Sequence, residues 1–247
     1  MRIKITWLIA LLPNMAALAQ GPQHNIQSTQ LGNVSAQPGN DQALTFHSLT
    51  TYVGRSNAKL VNGSPYMDSR WLVAHLTTTR RAQIPPLPLR YDVLNKRLVM
   101  QPSDAVHDSL QLNDNDLVQF ELDEPATDNR PAYKRVFRRF SEAPVPTQTT
   151  DYVEVLHEGK FTLLKHYEKK YTESVSNGLV EGGGRIADRL TYYVSRPNSG
   201  VVPVKLSLKS MQVMLPDLAA ALKNSPTVQN AKTEREWAAI LDSLDSK

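Results

Sequence analysis

The chain has 247 residues, with 28 Lys and Arg against 24 Asp and Glu, a formal charge of +4, and no cysteine. The missing cysteine excludes disulfides, thiol nucleophiles, thiolate metal sites and lipid attachment at an N-terminal cysteine, so an ordinary core must hold the fold. The length suits one large domain or two small ones, since domains commonly run to about 100 to 150 residues.

At the start, MRIKITWLIALLPNMAALAQ sets Arg2 and Lys4 ahead of an apolar run from Ile5 to Ala19 that closes on Ala17-Leu18-Ala19. This is the pattern of a secretory signal peptide, residues 1–19. Pro13-Asn14 interrupts the run, which falls short of the about 20 residues of a spanning helix. Cleavage would leave 228 residues (247 less 19) carrying +2. The expectation is an exported protein, in the periplasm, on the outer membrane or outside the cell, with no membrane span. Its charge gives no reason to expect nucleic acid as a partner. Residues 20–43 are Gln, Asn, Gly, Pro and Ser with isolated aliphatics, which predicts a flexible leader.

From residue 44 to 206 the chain breaks into short apolar runs, rich in β-branched and aromatic residues and separated by Gly, Pro, Asn and Asp, which predicts a β-rich domain. The expected strands are Trp71 to Thr78, Leu87 to Leu94, Arg97 to Gln101, Leu117 to Leu122, Tyr133 to Phe140, Tyr152 to His157, Lys160 to Tyr171, Leu190 to Arg196 and Val201 to Leu206. Leu94-Asn95-Lys96-Arg97 and His157-Glu158-Gly159-Lys160 read as tight turns, because Asn and Gly tolerate positive φ. In YKRVFRRF, Tyr133, Val136, Phe137 and Phe140 also fit a helical period, but the neighbouring strands favour a strand. Beyond Ser207 the spacing becomes helical through Leu208, Met211, Leu215, Leu218 and Leu222, and Pro216 opens a second helix. Thr233 to Glu236 fits a capping box ahead of a stripe of Trp237, Ile240, Leu241 and Leu244. The predicted architecture is mainly β, an antiparallel twisted sheet or open barrel, with two or three C-terminal α-helices from residues 207–247 packed on it; α+β overall.

Local catalytic signatures are missing. GGGRIA at 182–187 matches G-x-G-x-x-A but lacks a βαβ setting and reads as a loop. NDNDLVQFELDE has acidic ends, yet Leu117 occupies the fifth loop position of an EF-hand and no Gly follows, so a polar turn into a strand is the expected structure. His24, His47, His75, His107, His157 and His166 include no chelating pair, and no G-x-S-x-G elbow is present. No cofactor and no metal are expected. Lys134, Arg135, Arg138 and Arg139 interleave with aromatics and form a candidate contact for a polyanion, in an envelope an acidic glycan or a lipid head group. Lys160, Lys165, Lys169 and Lys170 form a second such group; a solvated sheet face is the competing reading of both.

The blocks GSPYMDSRW, LPLRYDVLNKRL, YVEVLHEGKFTLLKHYEKKY and LKSMQVMLPDLAAALK, in this order, resemble a family of uncharacterised secreted proteins of Bacteroidota. The likeness spans residues 63 to 245 and implies an envelope protein with a β-rich body. It brings no activity and no functional residue, and NSPTVQNAKTEREW replaces a more Lys-rich stretch of the relatives. The leading expectation is a non-enzymatic extracytoplasmic binding or scaffold protein with an envelope protein, glycan or lipid head group as partner. The alternative is a secreted hydrolase assembled only in the fold, with His75, Asp92 and His166 as candidates.

Overall fold

The computed structural model describes residues 50–52, 61–80, 84–101, 109–176, 179–197 and 199–245. The expected signal peptide and leader, and His24, His47 and His107, lie outside them. Among the described residues, twelve strands form one sheet: β1 (Thr50–Tyr52), β2 (Val61–Asn62), β3 (Leu72–Thr78), β4 (Leu87–Asp92), β5 (Arg97–Met100), β6 (Leu110–Leu112), β7 (Leu117–Glu124), β8 (Tyr133–Arg139), β9 (Tyr152–Glu158), β10 (Thr162–Ser176), β11 (Leu179–Arg196) and β12 (Gly200–Val204). Their spatial order is β1-β6-β5-β4-β3-β7-β8-β9-β10-β11-β12, an open path, and β2 lies parallel beside β11. A meander from β3 to β6 grows one way. The chain then returns to lay β7 on the other edge of β3, and a second meander from β7 to β12 grows the opposite way.

The period-2 alternation seen in the sequence sorts side chains onto two faces. In β3, Leu72, Ala74 and Leu76 are buried while Val73 and Thr77 face out. The inner face can be followed strand by strand through Leu76, Phe120, Phe137, Glu154, Lys165, Tyr192 and Val204, each the register partner of the next. Its β3–β8 half carries an apolar core that includes Leu89, Leu98, Phe120 and Phe137, with the Phe120 and Phe137 rings stacked at 4.8 Å. Its β10–β12 half is covered by four short helices, α1 (Leu208–Met214), α2 (Ala219–Asn224), α3 (Pro226–Gln229) and α4 (Glu234–Leu244). Trp237, Ile240 and Leu241 of α4 bury against Leu163 and Val194 there, together with Met211 and Leu222. The capping box at Thr233 and Glu236 forms as the sequence predicts. Pro216 opens a single 3₁₀ turn before α2. A smaller core of Phe140, Val153, Leu164, Tyr193 and Val201 lies on the outer face.

Two turns differ from expectation in their cause. At the β4–β5 hairpin it is Lys96, not Asn95, that takes positive φ (53°). Asn95 instead binds the buried Asp92 carboxylate through its backbone N–H (3.1 Å) and side-chain amide (2.8 Å). The block containing Gly-Ser-Pro-Tyr sits on this hairpin: the Pro65 carbonyl accepts from Val93 and Leu94, and Tyr66 bridges to Asp92. The first of these sequence blocks therefore closes the second. At the β9–β10 turn, Gly159 is needed for space. A Cβ there would lie 2.6 Å from an Asp245 carboxylate oxygen, which accepts from the Phe161 N–H at 2.9 Å and pairs with His157 at 3.1 Å. His157 holds Asp242 on its other ring nitrogen at 2.6 Å, so the end of α4 is tied to β9.

GGGRIA belongs to β11 and not to a loop. The Tyr171 ring from β10 lies across Gly184, where a Cβ would meet Cε2 at 2.4 Å. Glycine in a strand commonly marks such a close approach, and the aromatic ring supplies the contacts the glycine lacks.

Candidate functional site

Between the two inner cores runs a polar seam. Arg135 from β8 donates to Glu154 from β9 at 2.8 and 2.9 Å and to the Tyr167 hydroxyl from β10 at 2.8 Å, while Tyr167 also donates to Glu154. Arg70 forks onto Glu124 at 2.8 and 3.1 Å and onto Asp68 at 2.6 Å, and Arg130 reaches Glu124 at 3.3 Å. Farther along, Lys165 and the Tyr192 hydroxyl both bind Glu234 at the start of α4. Burial pushes the Glu154 carboxyl up, but hydrogen bonds and charge from Arg135, with Tyr167, outweigh it and hold it below the usual carboxylate range. Burial, then the neighbouring Glu154 charge, pushes the Tyr167 phenol well up, so it stays a donor. Arg70, Arg130, Arg135 and Lys165 face Asp68, Glu124, Glu154 and Glu234, so the seam is neutral and its charges answer one another.

The four basic residues singled out in the sequence alternate across β8 and do not share a face. Arg135 is in the seam, with 11% of its side chain exposed. Arg139 binds Asp114 at 2.9 Å and stacks on Tyr152. On the outer face, Lys134 pairs with Glu121 at 2.8 Å and Arg138 grips both oxygens of Glu142. Of the second basic group, Lys165 joins the seam and Lys169 pairs with Asp188 at 2.7 Å. His75, Asp92 and His166 are not bonded to one another. His75 pairs with Asp123 at 2.8 Å, Asp92 with Arg97 at 3.0 Å, and the fully buried His166 with Asp151 at 2.9 Å. Among the described residues, no three His, Asp or Glu side chains are grouped as a metal site, and no helix is long and apolar enough to cross a membrane.

The outer face of β3, β7 and β8 carries a different arrangement. A shallow cleft of about 540 Å³ at the ends of these strands is lined by Trp71, Val73, Asp123 and Lys134 of outward phase and, at its rim, by Glu124, Pro125, Ala132 and Tyr133; Tyr133 and Glu124 are register partners of inward phase, and the Tyr133 ring lies 4.6 Å from the Arg130 guanidinium. Val73 is 45% and Tyr133 38% exposed. Each polar group is fixed by a partner outside the cleft: Asp123 by His75, Glu124 by Arg70 and Lys134 by Glu121. The register explains the aromatic wall. Leu72 pairs with Leu89, so Trp71, one residue earlier, falls opposite Arg90, one residue later. The Arg90 guanidinium lies 3.6 Å from the Trp71 ring centroid and 4.1 Å from that of Tyr66.

None of Tyr66, Trp71, Arg90 and Tyr133 stands out as a site residue in the sequence. The available signal was phase: Trp71 falls on the outward alternation of β3, opposite Leu72, Ala74 and Leu76, where a large aromatic is unusual unless something covers or uses it. No protein family, no curated protein and no solved structure matches the chain. The site is therefore read from its own geometry.

Proposed function

We propose that the chain is a non-enzymatic binding protein of the bacterial cell envelope and that its ligand is a glycan lying in the Trp71–Tyr133 cleft. The observation that carries this reading is an open cleft presenting the Trp71 ring and the exposed Val73, with Tyr133 at its rim, beside polar groups already held in place. A sugar has an apolar C–H face and a rim of hydroxyls. Aromatic rings suit the first, and carboxylate and ammonium groups with spare hydrogen-bonding capacity suit the second. Polar groups immobilised by His75, Arg70 and Glu121 lose little further freedom on binding, which favours a weakly concave site. The Arg2/Lys4 and Ile5 to Ala19 pattern supports export, and the resemblance to secreted Bacteroidota proteins supports an envelope setting.

Binding of the protein and of Trp71→Ala to an array of envelope-type oligosaccharides tests this. Loss of one stacked ring should weaken the bound members by about tenfold or more, corresponding to an aromatic contact of roughly 1.5 kcal/mol. The melting temperature of the variant, measured alongside, separates loss of the ring contact from loss of fold, since Trp71 is half-buried and stacks on Arg90. Binding to no oligosaccharide, or equal binding by the variant, would overturn the assignment; capture of only a protein or a lipid surface would replace the ligand class.

A further inference from the structure

Arg90 does not line the cleft itself but stacks on Trp71, which does, and its hydrogen-bonding capacity is unused. Its guanidinium is stacked between Tyr66 and Trp71, and among the described residues no acceptor takes any of its N–H groups. The Nε is buried without a partner. Arg130, Arg135 and Arg139, which also lie against aromatic rings, each hold a carboxylate: Glu124, Glu154 and Asp114. The nearest acid in sequence, Asp92, is taken by Arg97 and Asn95. Burial lowers the proton affinity of Arg90, against smaller opposing contributions from Tyr66 and Asp92. An arginine nonetheless remains a full cation at neutral pH.

We infer that Arg90 receives a carboxylate of the ligand, so that the cleft takes an acidic glycan, a uronate-bearing oligosaccharide, with the sugar ring beside Trp71. The inference rests on the reading of the cleft as a glycan surface. Two stacked rings hold the guanidinium plane while leaving its edge to donate, the geometry that a planar carboxylate meets with two parallel hydrogen bonds. The rings also screen the cation from water, which strengthens its attraction for an anion. A ring packed beside the carboxylate orients the rest of the sugar, so charge and stacking act on one residue of the glycan. Lys134, on the far side of the cleft, is occupied by Glu121 and does not offer an equivalent fork.

The test uses the full mature chain, its Arg90→Gln and Arg90→Lys variants, and oligosaccharides of glucuronic or galacturonic acid with their methyl esters, measured by titration calorimetry. The wild type should bind an acid at least about tenfold more tightly than its ester, as expected for a charge-assisted hydrogen-bonded pair. Arg90→Gln should abolish that preference, bringing acid and ester to equal affinity. Arg90→Lys, which keeps the charge but not the fork, should retain only part of it. Equal affinity for acid and ester, or a preference that survives Arg90→Gln, would overturn the role of Arg90 while leaving the glycan cleft standing. Failure of both forms to bind, with no glycan bound on the array, would overturn the cleft itself. Binding only to phosphatidylglycerol vesicles, lost in Arg90→Gln, would make the partner a lipid head group and overturn the glycan.

Discussion

Arg135 shows how a single side chain joins the parts of this sheet. It reaches from β8 to β9 and β10 through Glu154 and Tyr167, and is largely buried. Removing one partner of a buried pair leaves the other charge uncompensated, so Arg135→Met should cost about 3 to 5 kcal/mol. The double variant with Glu154→Leu should be less destabilised than Arg135→Met alone, and chemical denaturation of the set measures this coupling directly. The pH dependence has a definite sign. Because the folded protein holds the Glu154 carboxyl below its ordinary value of 4.5, the ionised form stabilises the fold above that value, and the stabilisation is lost as pH falls through the lowered one. In Arg135→Met the same burial, now unopposed by arginine, raises the carboxyl. The gap in melting temperature between wild type and variant should therefore narrow as pH falls, starting at the variant's raised value above 4.5 and continuing until the wild-type carboxyl protonates below it. A gap that stays constant would contradict the seam.

Among the elements, α4 depends most on its surroundings. With 11 residues it is shorter than helices that persist alone in water, which need about 12 to 15. It is held by its capping box, by Trp237, Ile240 and Leu241 against Leu163 and Val194, and by His157 between Asp242 and Asp245. Trp237 is only 1% exposed, so Trp237→Ala should cost about 3 to 5 kcal/mol, read from the urea midpoint. The stripe and the cap were legible in the sequence because both are local patterns with fixed spacing. So were the alternating strands β3, β4, β5, β7, β8, β9 and β12 and most of β10, whereas the three-residue β6 and the end of β10 beyond Tyr171 were not. The N-terminal half of β11 was not, since three consecutive glycines carry no side-chain alternation, and Gly184 gains its place from Tyr171 on the neighbouring strand. YKRVFRRF was ambiguous for the opposite reason: its apolar residues satisfy the helical period, and the sheet resolves it by burying Phe137 on the inner face and leaving Val136 on the outer one.

At the scale of the whole molecule, one face of the sheet is spent on cores and the neutral seam, and β3, β7 and β8 carry the proposed ligand cleft at their ends. That division was only half visible beforehand. Basic residues in β8 drew attention by their number, but strand alternation sends them to opposite faces and each finds a carboxylate. The cleft escaped notice because its walls come from residues 71–73, 123–125 and 132–134, joined only by the pairing of β3 with β7 and β7 with β8. The stack of Arg90 on Trp71 likewise follows from a register that no local pattern announces. The most direct measurement is backbone amide chemical-shift mapping of the protein titrated with the tightest-binding acidic oligosaccharide. The shifts should concentrate at Trp71, Val73, Arg90, Asp123, Tyr133 and Lys134 and leave α1 to α4 unmoved; the largest shifts on the helices, or none on the outer face of β3, would contradict the assignment of the cleft.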